Sequence, residues 1–79
     1  MNRHHLDARR LLCPMPVIRV QDRINELEEG ELLEVVFTDP GALYDIPTWV
    51  RINGHRVVES VEGDEESSIV IQVAGSLVR

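Results

Sequence analysis

The stretch "PMPVIRVQDRINELEEGELLEVVFTDPG", residues 14–41, decides the fold because it changes from a helical to a strand pattern. Apolar residues recur at spacings of three and four over residues 14–28, which predicts a helix with one apolar stripe. The stripe consists of Val17, Val20, Ile24 and Leu27. Gly30 is a helix stop signal. The following "LLEVVFT", residues 32–38, predicts a strand, and its nearly continuous apolar run is typical of a strand with neighbours on both sides.

The chain beyond this stretch predicts a second helix and a hairpin. "GALYDIPTWVRING", residues 41–54, has helical spacing and ends at Gly54. We expect Asp45 to cap its regular part. Pro47 should lie in the first turn or at a kink, because proline inside a helix costs about 3 kcal/mol or more. Residues 55–62 and 68–74 predict two strands that the acidic turn "EGDEES" joins.

A weaker strand at residues 4–9 completes the order β-α-β-α-β-β. The first three strands are connected through helices, and each helix has one apolar stripe. These features favour a single sheet with both helices packed on it, in one domain that spans residues 1–79. Residues 75–79 carry no strong signal.

Composition and charge limit the functional class. Of the 79 residues, 43% are hydrophobic, as is typical of a globular protein, and the core should be mostly Leu, Ile and Val. The net charge of −6 would repel nucleic acid, so direct nucleic-acid binding is not expected. The chain has no apolar run of about 18 residues and no secretory signal pattern, which predicts a cytoplasmic protein without a membrane partner.

Cys13 is the single cysteine, and it lies where the first helix is predicted to begin. As the N-cap residue it would face the free N–H groups of the first turn, which should lower the pKa of the thiol. Pro14 would then occupy the first helical position, and Pro16 would remove a further donor. The amide of Met15 is left as the expected hydrogen-bond partner of the sulfur, with Val17 next.

A lone cysteine has no internal disulfide partner, and a reducing compartment is its natural setting. A reactive thiolate could attack sulfur, carry it as a persulfide and give it up to another thiol. The alternative is that Cys13 is a buried apolar residue without chemistry, since cysteine is readily buried in small domains.

The chain resembles the TusA/SirA family of small sulfur-carrier proteins, whose hallmark is a C-P-x-P motif at the start of the first helix. The resemblance rests on "LDARRLLCPMPVIRV", "GELLEVV", "TDPGALYDIPTWV" and "NGH". It implies an α/β two-layer sandwich with two helices on a mixed four-stranded sheet. It also implies that Cys13 accepts sulfane sulfur from a cysteine desulfurase or a rhodanese-type donor, without a bound cofactor. Pro14 and Pro16 would shape the loop, and an acceptor protein would take the sulfur onward.

Family members serve tRNA 2-thiouridine formation, molybdenum cofactor supply or sulfur oxidation, and these pathways stay open for this chain. Arg10 stands where family sequences commonly have glycine. Its guanidinium could stabilise the Cys13 thiolate or contact an acidic partner, or it could simply face solvent. Met15 fills the variable position of the motif, where an exposed thioether could meet an apolar partner surface.

Other polar and aromatic residues have simpler interpretations. His4, His5 and His55 fit no standard zinc spacing, so a metal site is not expected. Asp7, Asp39 and Asp45 are candidate acid–base groups, but turn-forming and capping roles explain Asp39 and Asp45 better. The remaining expectations are that Trp49 lies in the core or at its edge and that residues 62–66 form a solvated turn.

Two functions follow from the sequence. The first is a sulfurtransferase that relays sulfur through Cys13, and the second is a non-catalytic regulatory or protein-interaction module of the same fold. The rate of thiol alkylation separates them, because a relay predicts a reactive thiolate and an interaction module an ordinary thiol.

Overall fold

The computed structural model describes residues 3–74 and has the predicted order of strands and helices. The elements are β1 (Arg3–Ala8), α1 (Met15–Ile24), β2 (Leu32–Phe37), α2 (Ala42–Ile52), β3 (Arg56–Val61) and β4 (Ser67–Gln72). The expected sandwich of two helices on a four-stranded sheet is confirmed. Residues 75–79, which carried no strong sequence signal, lie outside the described residues. Neither helix within residues 3–74 has the length and apolar character needed to cross a membrane.

The sheet is mixed, and its strand order is β1-β2-β4-β3. β2 pairs in parallel with β1 and antiparallel with β4, so the prediction of a strand flanked on both sides is confirmed. β3 and β4 form the predicted hairpin. In the parallel pair Ala8 lies opposite Phe37, the last residue of β2. Both strands therefore end at the same edge of the sheet, where the chain continues toward α1 and α2.

One hydrophobic core joins the helices to a single face of the sheet. Alternate residues of β2 are buried, as the period of two in a strand requires. The residues that are buried in this core are Ala8, Val20, Ile24, Leu33, Val35, Phe37, Ala42, Ile46, Val50, Ile69, Ile71 and Val73. Phe37 is the single aromatic residue among them, so the expected dominance of aliphatic side chains is confirmed.

Both helices differ from their predicted bounds. α1 ends at Ile24 instead of near residue 28, because the amides of Glu26 and Leu27 donate to carbonyls only three residues back, at 3.0 Å each. Leu27 still packs against the core, which explains its place in the apolar pattern. The predicted stop signals Gly30 and Gly54 have φ of 92° and 83°, in the left-handed region that favours glycine.

The predicted role of Asp45 as the cap of α2 is wrong, and Pro47 does not lie in the first turn of the helix. α2 begins at Ala42, and Gly41 is its N-cap, so Asp45 lies in the first turn and is not the cap. The helix starts early because the amides of Ala42 and Asp45 find acceptors in the carbonyls of Asp39 and Gly41, both at 3.0 Å. Pro47 consequently lies inside the helix. Burial of the neighbouring apolar side chains of α2 offsets the backbone hydrogen bond that proline cannot make.

His55 connects the end of α2 to the end of β4. Its Nδ1 accepts a hydrogen bond from the Ala74 amide at 3.0 Å, and its ring stacks on Trp49 with centroids 5.8 Å apart. Trp49 is partly buried against the core, which confirms its predicted place at the core edge. Burial lowers the pKa of His55 below its ordinary value. Nδ1 can accept this hydrogen bond only when the imidazole ring is neutral.

The free energy of unfolding should fall as the pH decreases below about 6.5, the ordinary pKa of histidine. Since the pKa of His55 is lower in the folded than in the unfolded chain, its contribution is full above the unfolded pKa. It is lost as the pH falls toward the folded pKa. Protonation removes the acceptor for the Ala74 amide, a loss of about 1 kcal/mol.

Urea unfolding at several pH values tests this loss. His55→Gln keeps an acceptor but does not titrate, so it should flatten the pH dependence, whereas the matched variant His5→Gln should retain it. An unchanged slope in His55→Gln would contradict the assignment.

Candidate functional site

Cys13 lies between β1 and α1, at the edge of the sheet where the two parallel strands end. The residue is exposed and its thiol is free. The alternative that Cys13 is a buried apolar residue is therefore wrong. A single exposed thiol at the start of a helix is accessible to a reaction partner.

The start of α1 differs from the sequence prediction by one residue. Pro14 is the N-cap, with φ −97° and ψ 13°, and no side chain caps the helix. Met15 is the first helical residue, and its amide donates to the carbonyl of Leu12 at 2.8 Å instead of to the sulfur. The predictions of Cys13 as N-cap and of the Met15 amide as its partner are wrong. Residues 12–15 form a turn closed by that hydrogen bond, and the peptide between Cys13 and Pro14 is cis. Since Pro14 is the N-cap, Cys13 precedes the cap position by one residue.

Pro16 has a structural role at the site. It occupies the second helical position, where its missing N–H costs no helical hydrogen bond, and its ring is almost fully buried. Pro14 and Met15 are exposed, so the motif passes from the surface to the core at Pro16. Pro16 thus anchors the turn that presents Cys13.

Two carboxylates from the chain after β2 hold Cys13. The backbone amide of Cys13 donates to Oδ2 of Asp39 at 3.1 Å, and its thiol donates to Oδ2 of Asp45 at 3.2 Å. Sequence reasoning assigned Asp39 and Asp45 to turn formation and capping and missed both contacts. The strand topology could have predicted these contacts, because residues that follow neighbouring parallel strands lie at the same edge of the sheet.

These carboxylates raise the pKa of the Cys13 thiol. The hydrogen bond to Asp45 is the largest cause, followed by partial desolvation of the sulfur and by the negative charges of Asp45 and Asp39. A hydrogen bond from the thiol stabilises its neutral form, and nearby negative charge disfavours the thiolate. The prediction of a lowered pKa is wrong because the sulfur receives no amide of the first helical turn. The raised pKa favours the protonated thiol of Cys13 over the thiolate.

Arg10 has the backbone conformation that suits glycine. Its φ is 68°, and its amide donates to Oγ1 of Thr38 at 2.8 Å. Left-handed backbone is costly for residues with a Cβ, which gives a physical reason for the glycine that the resemblance to TusA/SirA proteins led us to expect at this position. The Arg10 side chain lines an open polar depression of about 540 Å³, together with Glu65 and Glu66. Arg10 is not among the groups that shift the pKa of Cys13.

The other candidate side chains are engaged elsewhere. Asp7 accepts a hydrogen bond from Nε of Arg9 at 2.9 Å, and this pairing lowers the pKa of Asp7 to about 2. Nε2 of His4 lies 3.4 Å from a Glu31 carboxylate oxygen, and Nδ1 of His5 lies 3.4 Å from one of Glu34. Within residues 3–74, no group of three or more His, Cys, Asp or Glu side chains could hold a metal ion.

Four exposed apolar side chains lie on the segments that carry Cys13 and its partner Asp45. Leu12 and Met15 flank the Cys13–Pro14 pair, and their side chains are 73% and 36% exposed. Tyr44 is 73% exposed and directly precedes Asp45, whose carboxylate contacts the sulfur. Ile18 lies one turn after Met15 in α1 and is 41% exposed. We call Leu12, Met15, Ile18 and Tyr44 the apolar rim of the site.

This α/β sandwich with an exposed thiol before its first helix matches a family of sulfur-transfer proteins. The family model described as sulfurtransferase TusA matches residues 4–73, and the chain belongs to this family. The resemblance to TusA/SirA proteins predicted from the sequence is confirmed.

Named relatives and a solved structure agree with this assignment. A protein of Bacillus subtilis, YrkI, whose name describes a candidate sulfur carrier, is 48% identical over 60 residues, 75% of this chain and 80% of YrkI. The sulfur carrier protein TusA of Allochromatium vinosum is 37% identical over 57 residues, 72% of this chain and 75% of that protein. The crystal structure of a SirA-like protein from Desulfitobacterium hafniense is similar with a TM-score of 0.78 and 25% identity, covering 90% of this chain and 97% of that one.

Alkylation of Cys13 should follow a pKa above the free-thiol value of about 8.5. Asp45→Asn removes the main cause of the raised pKa and should increase the rate near neutral pH several-fold. The larger thiolate fraction outweighs the lower nucleophilicity of a more acidic thiol.

The pH profile of iodoacetamide alkylation measures this effect, and Asp22→Asn, an equal charge change on the exposed surface of α1, should leave the profile unchanged. A wild-type profile that inflects below the free-thiol value would contradict the geometry.

Arg10→Gly should raise the free energy of unfolding by about 0.5–1 kcal/mol, since relief of the left-handed strain exceeds the extra entropy of glycine in the unfolded chain. Urea unfolding measures the change. Arg10→Ala is the matched control because it removes the guanidinium but keeps the Cβ, and it should give no stabilisation. Equal gains in both variants would show that the side chain, and not the backbone, is responsible.

Proposed function

We propose that this protein is a sulfur relay that accepts sulfane sulfur as a persulfide on Cys13 and passes it to the cysteine of an acceptor protein. The observation that carries the proposal is the exposed Cys13 thiol before α1 in a chain of the sulfurtransferase TusA family. The donor would be a cysteine desulfurase or a rhodanese-type protein. The acceptor protein would pass the sulfur into tRNA 2-thiouridine formation, cofactor assembly or sulfur oxidation.

The chemistry consists of two thiol exchanges that need no external oxidant. In loading, the Cys13 sulfur attacks the outer sulfur of a donor persulfide, the donor S–S bond breaks, and the Cys13 proton leaves on the donor thiol. In delivery, an acceptor thiol attacks the outer sulfur on Cys13, and the proton of the acceptor ends on the Cys13 sulfur. One zero-valent sulfur atom moves in each step.

The surroundings of Cys13 support protein partners over small substrates. The apolar rim offers exposed aliphatic and aromatic surface on the segments that carry Cys13 and Asp45, of the kind that protein interfaces bury. Because the chain has a single cysteine, an internal disulfide cannot compete with the transfer. A partner that covers the rim would bring its own cysteine against the outer sulfur.

The raised pKa of Cys13 favours the second candidate function, a non-catalytic interaction module. A protonated thiol is a weak nucleophile near neutral pH. Sulfur loading decides between the two functions, because an interaction module gains no sulfur whatever the donor.

Incubation with a cysteine desulfurase and cysteine, or with a rhodanese and thiosulfate, should add one sulfur atom, about 32 mass units, to the intact protein. Cys13→Ser should abolish the gain, since Cys13 is the single cysteine. Intact-protein mass spectrometry without reducing agent measures it, and a folded Cys13→Ser variant is the control. An unchanged wild-type mass with both donors would contradict the relay and leave the interaction module.

A further inference from the structure

The contact between Asp45 and Cys13 is not needed to start α2. Gly41 is the N-cap, and the early hydrogen bonds of α2 are made by backbone carbonyls. Within residues 3–74 the carboxylate of Asp45 forms no ion pair, and its Oδ2 receives the Cys13 thiol proton at 3.2 Å. The contact joins residues 32 positions apart. We therefore expect the contact between Asp45 and Cys13 to affect the reactions of the Cys13 sulfur.

We propose that Asp45 is a positioning residue that stabilises the unloaded thiol relative to the persulfide and so biases the carrier toward delivery. The inference rests on the proposed relay function. It assigns to Asp45 control over how tightly Cys13 holds sulfur, while the covalent steps belong to Cys13 itself.

The interaction between Asp45 and the Cys13 sulfur changes from attractive to repulsive when sulfur is loaded. In the unloaded protein the thiol donates a hydrogen bond to the carboxylate. In the persulfide, Sγ is bonded to the outer sulfur and has no hydrogen, so its lone pairs face the Asp45 carboxylate. The favourable contact is lost, and repulsion between two electron-rich atoms replaces it.

The outer sulfur is repelled as well. A persulfide ionises more readily than a thiol, so the outer sulfur carries negative charge near neutral pH. It lies one S–S bond, about 2.05 Å, beyond Sγ. The charges of Asp45 and Asp39 already disfavour an anion on Cys13 itself, and the same charges act on the outer sulfur. The favourable direction for that sulfur is away from both carboxylates, toward solvent or a docked partner.

The effect on the transfer follows from the balanced reaction. Delivery converts the Cys13 persulfide anion and an acceptor thiol into the Cys13 thiol and an acceptor persulfide anion. The bond from Cys13 Sγ to the outer sulfur breaks, a bond from the acceptor sulfur to the outer sulfur forms, and the acceptor proton passes to Cys13. The product thiol regains its hydrogen bond to Asp45, so the contact favours delivery and disfavours loading by one and the same factor.

Asp39 is the internal comparison because its contact does not change with loading. Its Oδ2 accepts the backbone amide of Cys13, which is present in both the thiol and the persulfide. Asp39→Asn keeps an acceptor oxygen and removes one charge, as Asp45→Asn does. The two variants therefore separate the direct contact to sulfur from the general negative field.

The loading equilibrium tests the proposal. Wild type, Asp45→Asn, Asp39→Asn and Asp22→Asn are equilibrated with glutathione persulfide and glutathione at defined ratios. Intact mass gives the loaded-to-unloaded ratio of each. Asp45→Asn should raise this ratio about fivefold, less than a buried charged hydrogen bond would give because the carboxylate is exposed. Asp39→Asn and Asp22→Asn should stay within about twofold of wild type.

Salt dependence distinguishes this role from a structural one. Added salt screens the repulsion, so the wild-type loaded-to-unloaded ratio should rise with ionic strength, whereas that of Asp45→Asn should change less. Urea unfolding confirms that all variants are folded. If wild type loads and Asp45→Asn has the same equilibrium and salt dependence, the role of Asp45 is overturned while the relay stands. If none of the sulfur donors loads the wild-type protein, the relay itself is contradicted.

Discussion

The parallel pairing of β1 with β2 is the constraint on which the site depends. Parallel strands end at the same edge of a sheet, and here Ala8 lies opposite Phe37 at that edge. The segment after β1 carries Cys13, and the segment after β2 carries the two carboxylates that contact it. Cys13 lies 26 and 32 positions from these aspartates in the chain, so the sheet and not local structure brings them together.

The state of the thiol results from two opposing local fields. The start of a helix favours an anion within its first turn, whereas a carboxylate that accepts the thiol proton favours the neutral form. Cys13 precedes the N-cap by one residue and receives no first-turn amide, so the helix acts weakly on the sulfur. The direct contact to Asp45 therefore decides the direction of the pKa shift.

Local backbone preferences are violated at two positions beside the site, and the tertiary structure overrides both. Arg10 has a left-handed backbone between β1 and Cys13, where the Thr38 hydroxyl accepts its amide. Pro47 lies inside α2, between the buried Ile46 and Val50. Burial of such side chains stabilises a domain by more than one unfavourable dihedral or one missing hydrogen bond costs.

The sequence by itself determined the element order, the apolar face of each helix, the central place of β2 and the identity of the one thiol. These properties depend on periodicity over neighbouring residues and on a motif, both of which are present in the linear chain. Only the tertiary structure decided where the two helices begin, which carboxylates contact Cys13 and that the pKa of its thiol is raised. Helix starts depend on which carbonyls are available as acceptors, and the pKa depends on groups from a distant segment, so neither leaves a periodic signal in the sequence.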